Sequence, residues 1–263
     1  MQGRAFMKNY YFLGVLAPPL SLESEPEIPF TQMMGYLRMN LSGKDLKKAY
    51  VIQEYIDLYN LRSFWLKKPL DPRGSMDENE IQEAIATKTG LGDYILDFLQ
   101  EYDSPSEYVK AFPSLLSTFF KEKALVESSF LSAYFTFERE LRLILAGFRA
   151  KMLKADLLKE LEFEDPKDPI VSMMLVQKDA ATFEPPADYE SLKIIFEKYK
   201  ENPLNLLKAI TEYRFEKIEE MKGSAPFTVD ALLAYLIQLY FVEKWHEAKN
   251  EQGFEIIESI VKV

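Results

Sequence analysis

The sequence predicts an all-α protein, an elongated multi-helix bundle preceded by a short extended N-terminal segment. Three observations carry this reading. Nearly every segment places an apolar stripe at helical period against a charged face. Small polar residues recur where those segments begin, and proline or glycine where they end. The 263 residues are 48% hydrophobic and 28% charged, enough apolar surface to bury a real core. A chain of this length can sustain one core or begin to divide. The expected organisation is a flexible N-terminus at 1–8 and a single elongated helical domain over 9–263, with possible subdivision near 165–188.

Residues 9–17 are expected to be extended, because the aromatic, apolar run meets Pro18 and Pro19, where a helix cannot continue. Arg4 and Lys8 before this run mimic a signal peptide, but the run is rich in tyrosine and only about eight residues long, so a buried strand or turn is the better reading. The next strong signal is a long helix over about 43–66, capped by Ser42 with Asp45 three residues on. Pro69, Pro72 and Gly74 then break the chain, and "SMDE" predicts a capping box from Ser75 to Glu78 ahead of a helix that stops near Gly90. A short helix follows to about Tyr102. Pro105 and Pro113 lead into a 3.6-period pattern, from Leu115 to Leu153, that predicts one very long helix or two joined ones.

"DPKDP" (165–169) and "EPPAD" (184–188) read as linkers flanking one short helix, since clustered prolines remove backbone donors and disfavour helix in the residue before each. Pro203 opens and Gly223 closes a helix over 203–222. Thr228 with Asp230 caps another that runs to about Asn250, and a last short helix follows Gly253.

Composition also excludes function classes. There is no cysteine, which rules out disulfides, thiolate metal sites and cysteine nucleophiles, and fits a reducing cytoplasm. The formal charge is -10, and the basic groups Lys44, Lys47, Lys48 and Arg149, Lys151, Lys154 sit at helical spacing beside acids, so a nucleic-acid interface is not expected. The longest apolar stretch, 231–242, falls short of the roughly 20 residues that span a bilayer, so no direct lipid insertion is expected. Ten glycines include no pair at nucleotide-loop spacing, and no cofactor is implied. The single histidine, His246, matches Glu-x-x-His once with Glu243, whereas a di-metal bundle needs two such motifs. Glu138 with Glu140, and Glu216 with Glu219 and Glu220, leave carboxylate chemistry in a helical ligand-binding bundle as an alternative. The pairs Met33–Met34 and Met173–Met174 read as core filling in preference to a docking groove.

"EYIDLYNLRSFWLKK" followed by "PLDPRGSMDENEIQEAI" resembles the first helix and loop of the C subunit of V/A-type ATPases, called subunit d in eukaryotes. The residues that carry the resemblance are Asp57, Asn60, Leu61, Arg62, Lys67, Lys68, Pro72, Gly74 and Glu78. A second echo, "FERELRLILAGFRAK", contains Glu138 and Arg142, and a third, "FTVDALLAYLIQLYFVEKWHEA", contains Tyr235. The chain departs from the longer C subunits in a compressed middle and in the lack of asparagine in the second and third echoes. It is still more similar to a bacterial family of unassigned function encoded inside V-type ATPase operons of chlamydiae, spirochaetes and Bacteroidetes. That similarity rests on "NYYFL", "LSLE", "LSGKDL", "DPRG" and "LLAYL", and it begins at Met7, which leaves residues 1–6 as an alternative start or an appended remnant.

The resemblance implies a non-catalytic central-stalk subunit that couples the membrane rotor ring to the shaft. Such a subunit would lie on the cytoplasmic face of the inner membrane and reach the membrane only through its partners. An assembly or accessory factor is the alternative. On this reading Asp57, Asn60 and Arg62 pin helices in one register by mutual hydrogen bonds, because buried polar groups are costly unless paired. The alternative for the three is a solvated helix face with ordinary ion pairs.

Overall fold

The computed structural model describes residues 10–125 and 129–250. Among them every regular element is helical: twelve α-helices and one short 3-10 turn, Ala187–Tyr189. The protein is an all-α multi-helix bundle.

The chain opens with a correction. Residues Tyr11–Leu16 form a short helix, α1, and not an extended segment. No neighbouring strand exists among the described residues to accept an extended backbone, so the segment satisfies its own polar groups by coiling. Pro18 constrains only Ala17, which is extended at ψ 101 after the helix has ended. Leu13 is buried, and Gly14 sits against the Phe227 ring, where a Cβ would collide.

Helix α2 (Phe30–Asn40) buries Phe30, Met33, Met34 and Leu37, so the first methionine pair fills core. Helix α3 (Gly43–Trp65) starts on Ser42, whose side chain accepts from Asp45 N–H. It ends in a Schellman turn: Lys67 takes positive φ (55°), Lys68 N–H reaches Ser63 C=O at 2.9 Å and Lys67 N–H reaches Phe64 C=O at 3.1 Å. Helix α4 (Glu78–Thr87) does have a capping box, but two residues later than expected, between Asp77 and Glu80. Ser75 instead donates its hydroxyl to Asp57 at 2.6 Å.

Helix α5 (Asp93–Glu101) leads into α6 (Pro105–Lys123), and the next helix is α7 (Ser129–Leu153). Pro113 lies inside α6, where the sequence pattern placed it ahead of the helix. A mid-helix proline costs about 3 kcal/mol, and here Ala111, Phe112, Leu115 and Leu116, all buried around it, offset that cost.

Segment 165–188 is not an open linker. Helix α8 (Leu157–Glu160) precedes it and α9 (Pro169–Val176) lies within it. Gln177 grips both backbone atoms of Glu184, at 2.9 and 2.8 Å, and Phe183 stacks edge-on against Phe148 of α7. Helix α10 (Glu190–Tyr199) and α11 (Pro203–Lys222) follow, then α12 (Val229–Asn250). The expected helix after Gly253 and the expected flexible residues 1–8 lie outside the described residues.

One apolar cluster runs from Leu13 to Phe241 through nearly every helix. Its aromatic hub is formed by Tyr55 of α3, Phe119 and Phe120 of α6, and Tyr134 and Phe135 of α7, with ring centroids 5.1–6.4 Å apart. Arg214 lies over Phe241 while Glu219 meets Gln238, so α11 and α12 run antiparallel.

Candidate functional site

The polar residues of α3 face the turn that follows it. Asp71, Pro72, Arg73 and Gly74 form a β-turn closed by Gly74 N–H to Asp71 C=O at 3.2 Å, with proline at its favoured second position. Three side chains on one face of α3 hold the backbone of this segment. Asn60 donates to Asp71 C=O at 3.0 Å and accepts from Asp71 N–H at 2.7 Å. Asp57 accepts from Ser75 N–H at 2.7 Å and from its hydroxyl at 2.6 Å. Gln53 donates to Arg73 C=O at 3.1 Å. Gly74 packs so closely on Asn60 and Asp57 that a Cβ would overlap both side chains.

The turn in turn grips α12 and α2. Arg73 is 2% exposed; its guanidinium reaches Asp71 at 2.6 Å, Glu243 at 3.1 Å and Glu247 at 2.7 Å, and lies over the Tyr240 ring. Glu243 also accepts from the Phe30 backbone N–H at 2.6 Å, which caps the start of α2. Desolvation opposes the charge on Arg73, but Asp71 and Glu247 outweigh it and hold the guanidinium firmly protonated. Burial would raise Asp71 as well, and Arg73 with Lys244 overcomes that and leaves its carboxyl below the ordinary range. Asp57 behaves in the opposite way. Burial pushes its carboxyl up, the Ser75 and Met76 hydrogen bonds counter this only in part, and nearby Glu54 adds to the rise.

A second polar junction ties α7 to α11. Glu138 and Arg214 are both buried and meet through two bonds of 3.0 and 2.7 Å. A third holds the segment after α8, where buried Glu164 accepts from Arg139 at 3.0 Å, Arg142 at 2.6 Å and the Ser117 hydroxyl at 3.2 Å. Breaking a buried pair of this kind costs about 3–5 kcal/mol, because the remaining charge is stranded.

The structure brings some of the expected residues together and separates others. Asp57, Asn60, Pro72 and Gly74 share one junction, yet Asp57 and Asn60 bond to the turn and not to each other. Arg62 is outside it, lying over Phe112 of α6 at 5.5 Å, because its position on α3 faces away from the turn. Lys67 is exposed and serves as the left-handed residue that ends α3. Glu138 and Arg142 belong to two different ion-pair groups. Tyr235 has a buried hydroxyl with no partner among the described residues, and burial with Glu27 and Glu243 pushes its pKa up to about 12.

The paired carboxylates are either engaged or solvated: Glu140 accepts from Tyr189 at 2.6 Å, while Glu216, Glu219 and Glu220 are exposed. His246 is buried beside Trp245. Sequence reasoning missed Gln53, Arg73, Glu164, Arg214 and Glu247. Gln53 could have been found, since it is a polar residue one turn before Asp57 on an otherwise apolar face. The α12 partners of Arg73, Glu243 and Glu247, could not, since they lie 170 and 174 residues away. Among the described residues no helix is long and apolar enough to cross a membrane.

Comparison with known proteins places the chain among bacterial relatives. It is 30% identical over 262 residues to an uncharacterized protein of Chlamydia muridarum, covering 97% of this chain and 98% of that one. An uncharacterized protein of Chlamydia trachomatis is 29% identical, and one of Chlamydia pneumoniae 30% identical, over the same shares of both chains. No solved structure matches at a significant level. The family model described as "Protein of unknown function (DUF2764)" matches residues 7–263. With all but its first six residues matched and its relatives aligned nearly end to end, the chain belongs to the DUF2764 family.

Proposed function

We propose that this chain is a non-catalytic subunit of a V/A-type ATPase, the central-stalk socket that couples the membrane rotor ring to the shaft. The observation that carries this reading is the interlocked junction around Arg73. A torque-transmitting part must keep its helices in register under load, and buried polar networks are best attested in that role of specifying register. Here the network joins α2, α3, the 71–75 turn and α12, which are remote in sequence, and it includes Asp57, Asn60, Pro72 and Gly74 from the segment that resembles the C subunit. The surface would meet protein partners on the cytoplasmic face of the inner membrane, with no lipid insertion of its own.

The test is affinity isolation of the tagged full-length chain from native membranes in mild detergent. Stoichiometric recovery of rotor-ring and shaft subunits in an ATP-hydrolysing complex is the expected result. Recovery only with incomplete complexes would assign an assembly factor instead, and an active motor lacking the chain would refute the socket.

A further inference from the structure

Three carboxylates are buried among the described residues, and two of them meet a guanidinium: Glu138 has Arg214, and Glu164 has Arg139 and Arg142. The third is Asp57. Its oxygens accept from Ser75 and the Met76 backbone, and no cation bridges it among the described residues. Leaving an ionisable group desolvated without a counter-charge is costly, and such groups cluster at functional sites.

Asp57 opens onto a cleft of about 410 Å3 between α3 and the segment from Ser75 to Ile95. That volume lies within the roughly 300–1,000 Å3 typical of ligand sites. One wall is the α3 face carrying Tyr50, Val51 and Glu54, and the opposite wall includes Met76, Leu91 and Ile95. The charged groups around Asp57 do not neutralise it. Glu54 is bridged by Lys123 of α6 at 2.9 Å and accepts from the Tyr94 hydroxyl of α5 at 2.9 Å. Arg73 on the turn is committed to Asp71, Glu243 and Glu247. Lys47, also lining the cleft, is ten residues from Asp57 along α3, about 15 Å at the helical rise and beyond ion-pair reach. The flanking chain is strongly acidic, with eight acids and only Lys88 as a base over residues 77–103.

We propose that this cleft receives the ammonium group of a lysine side chain from a basic segment of a partner protein. Val51, Leu91, Ile95 and the Tyr50 ring suit the four-carbon stem, and Asp57 with Glu54 suits the charged head. Both Asp57 oxygens already accept from Ser75, so the fork of a guanidinium would find no free bidentate edge, whereas an ammonium needs a single lone pair. The chain satisfies the same chemistry internally with Lys123, whose ammonium pairs with Glu54 and lies over the Tyr94 and Phe119 rings at 5.7 and 5.5 Å. The acid-rich rim would draw a basic segment toward the mouth and discriminate against acidic ones.

The experiment is an amide-shift titration of the labelled full-length chain with an acetyl-Gly-Lys-Gly-Lys-Gly-amide peptide. Saturable shifts confined to Ser75, Met76 and the Gly90–Gly92 stretch are expected. Affinity should fall as pH is lowered and Asp57 takes up a proton. Asp57→Asn should weaken binding roughly ten-fold, the loss expected for one charge-assisted contact, while its amide oxygen still accepts from Ser75. The same peptide acetylated on its lysine amines should not bind, which tests the site on the unmodified protein even if the variant fails to fold. Shifts spread over the exposed acids of α4 and α5 and unchanged in Asp57→Asn, equal binding of the acetylated peptide, or equal affinity for free spermidine would each overturn the proposal.

Discussion

Replacing Asn60 by leucine tests the interlocked junction most directly, because the two side chains have nearly the same shape and differ in their polar atoms. Asn60 is 1% exposed and satisfies both backbone groups of Asp71. Leucine leaves the Asp71 N–H without a partner, at about 1–3 kcal/mol, and removes one of two donors to the Asp71 C=O, which keeps the Gly74 N–H, at about 0.5–1.5 kcal/mol; together that is about 1.5–4.5 kcal/mol. Burying the leucine fork returns about 1.5–3 kcal/mol. The net expectation is therefore a loss of about 1 kcal/mol, the difference of the two mid-range values. For a chain of this size that corresponds to a fall in Tm of about 2–4 °C. The assay is urea unfolding at neutral pH followed by far-ultraviolet circular dichroism, with the slope compared to confirm that the unfolded reference is unchanged. A loss below about 0.5 kcal/mol, the range of ordinary surface substitutions, would refute the claim that this junction fixes the register of α3 on the turn.

Two further outcomes follow from the buried charges. Glu138→Leu and Arg214→Met are each expected to cost about 3–5 kcal/mol, while the double variant should cost clearly less than their sum, since removing both partners strands neither charge; additive losses in a double-mutant unfolding cycle would contradict a coupled pair. For Asp57 the sign of the pH dependence is fixed by its raised carboxyl. The folded chain holds the proton more tightly than the unfolded chain, so the stability from this group is present at acid pH and is lost as pH rises through and above the ordinary carboxylate range. Asp57→Asn suffers no such loss, so its deficit against the parent chain should shrink between about pH 4 and about pH 7. Stability curves in which that deficit is constant or grows with pH would show that Asp57 is not held above its ordinary value.

What the sequence determines by itself is local. Helix α3 was expected over 43–66 and spans Gly43–Trp65, and α11 was expected over 203–222 and spans Pro203–Lys222, because cap residues and prolines act on backbone groups within one turn of themselves. The same locality misled at Tyr11–Leu16, where a following proline says nothing about whether a sheet partner exists, and at Pro113, where tertiary burial outweighed a lost hydrogen bond. At the candidate site, the polar positions Asp57 and Asn60 stood out on an apolar helix face, but their partners did not. A helical period states which face a residue lies on and carries no information about which distant group will meet it. Only the packed chain decided that Ser75 serves Asp57 and not the cap of α4, that Arg62 lies on Phe112, and that Arg73 is matched to Glu243 and Glu247 across 170 and 174 residues. Those pairings arise from the docking of α12 and α2 against the 71–75 turn, a long-range arrangement set by burial of the shared core.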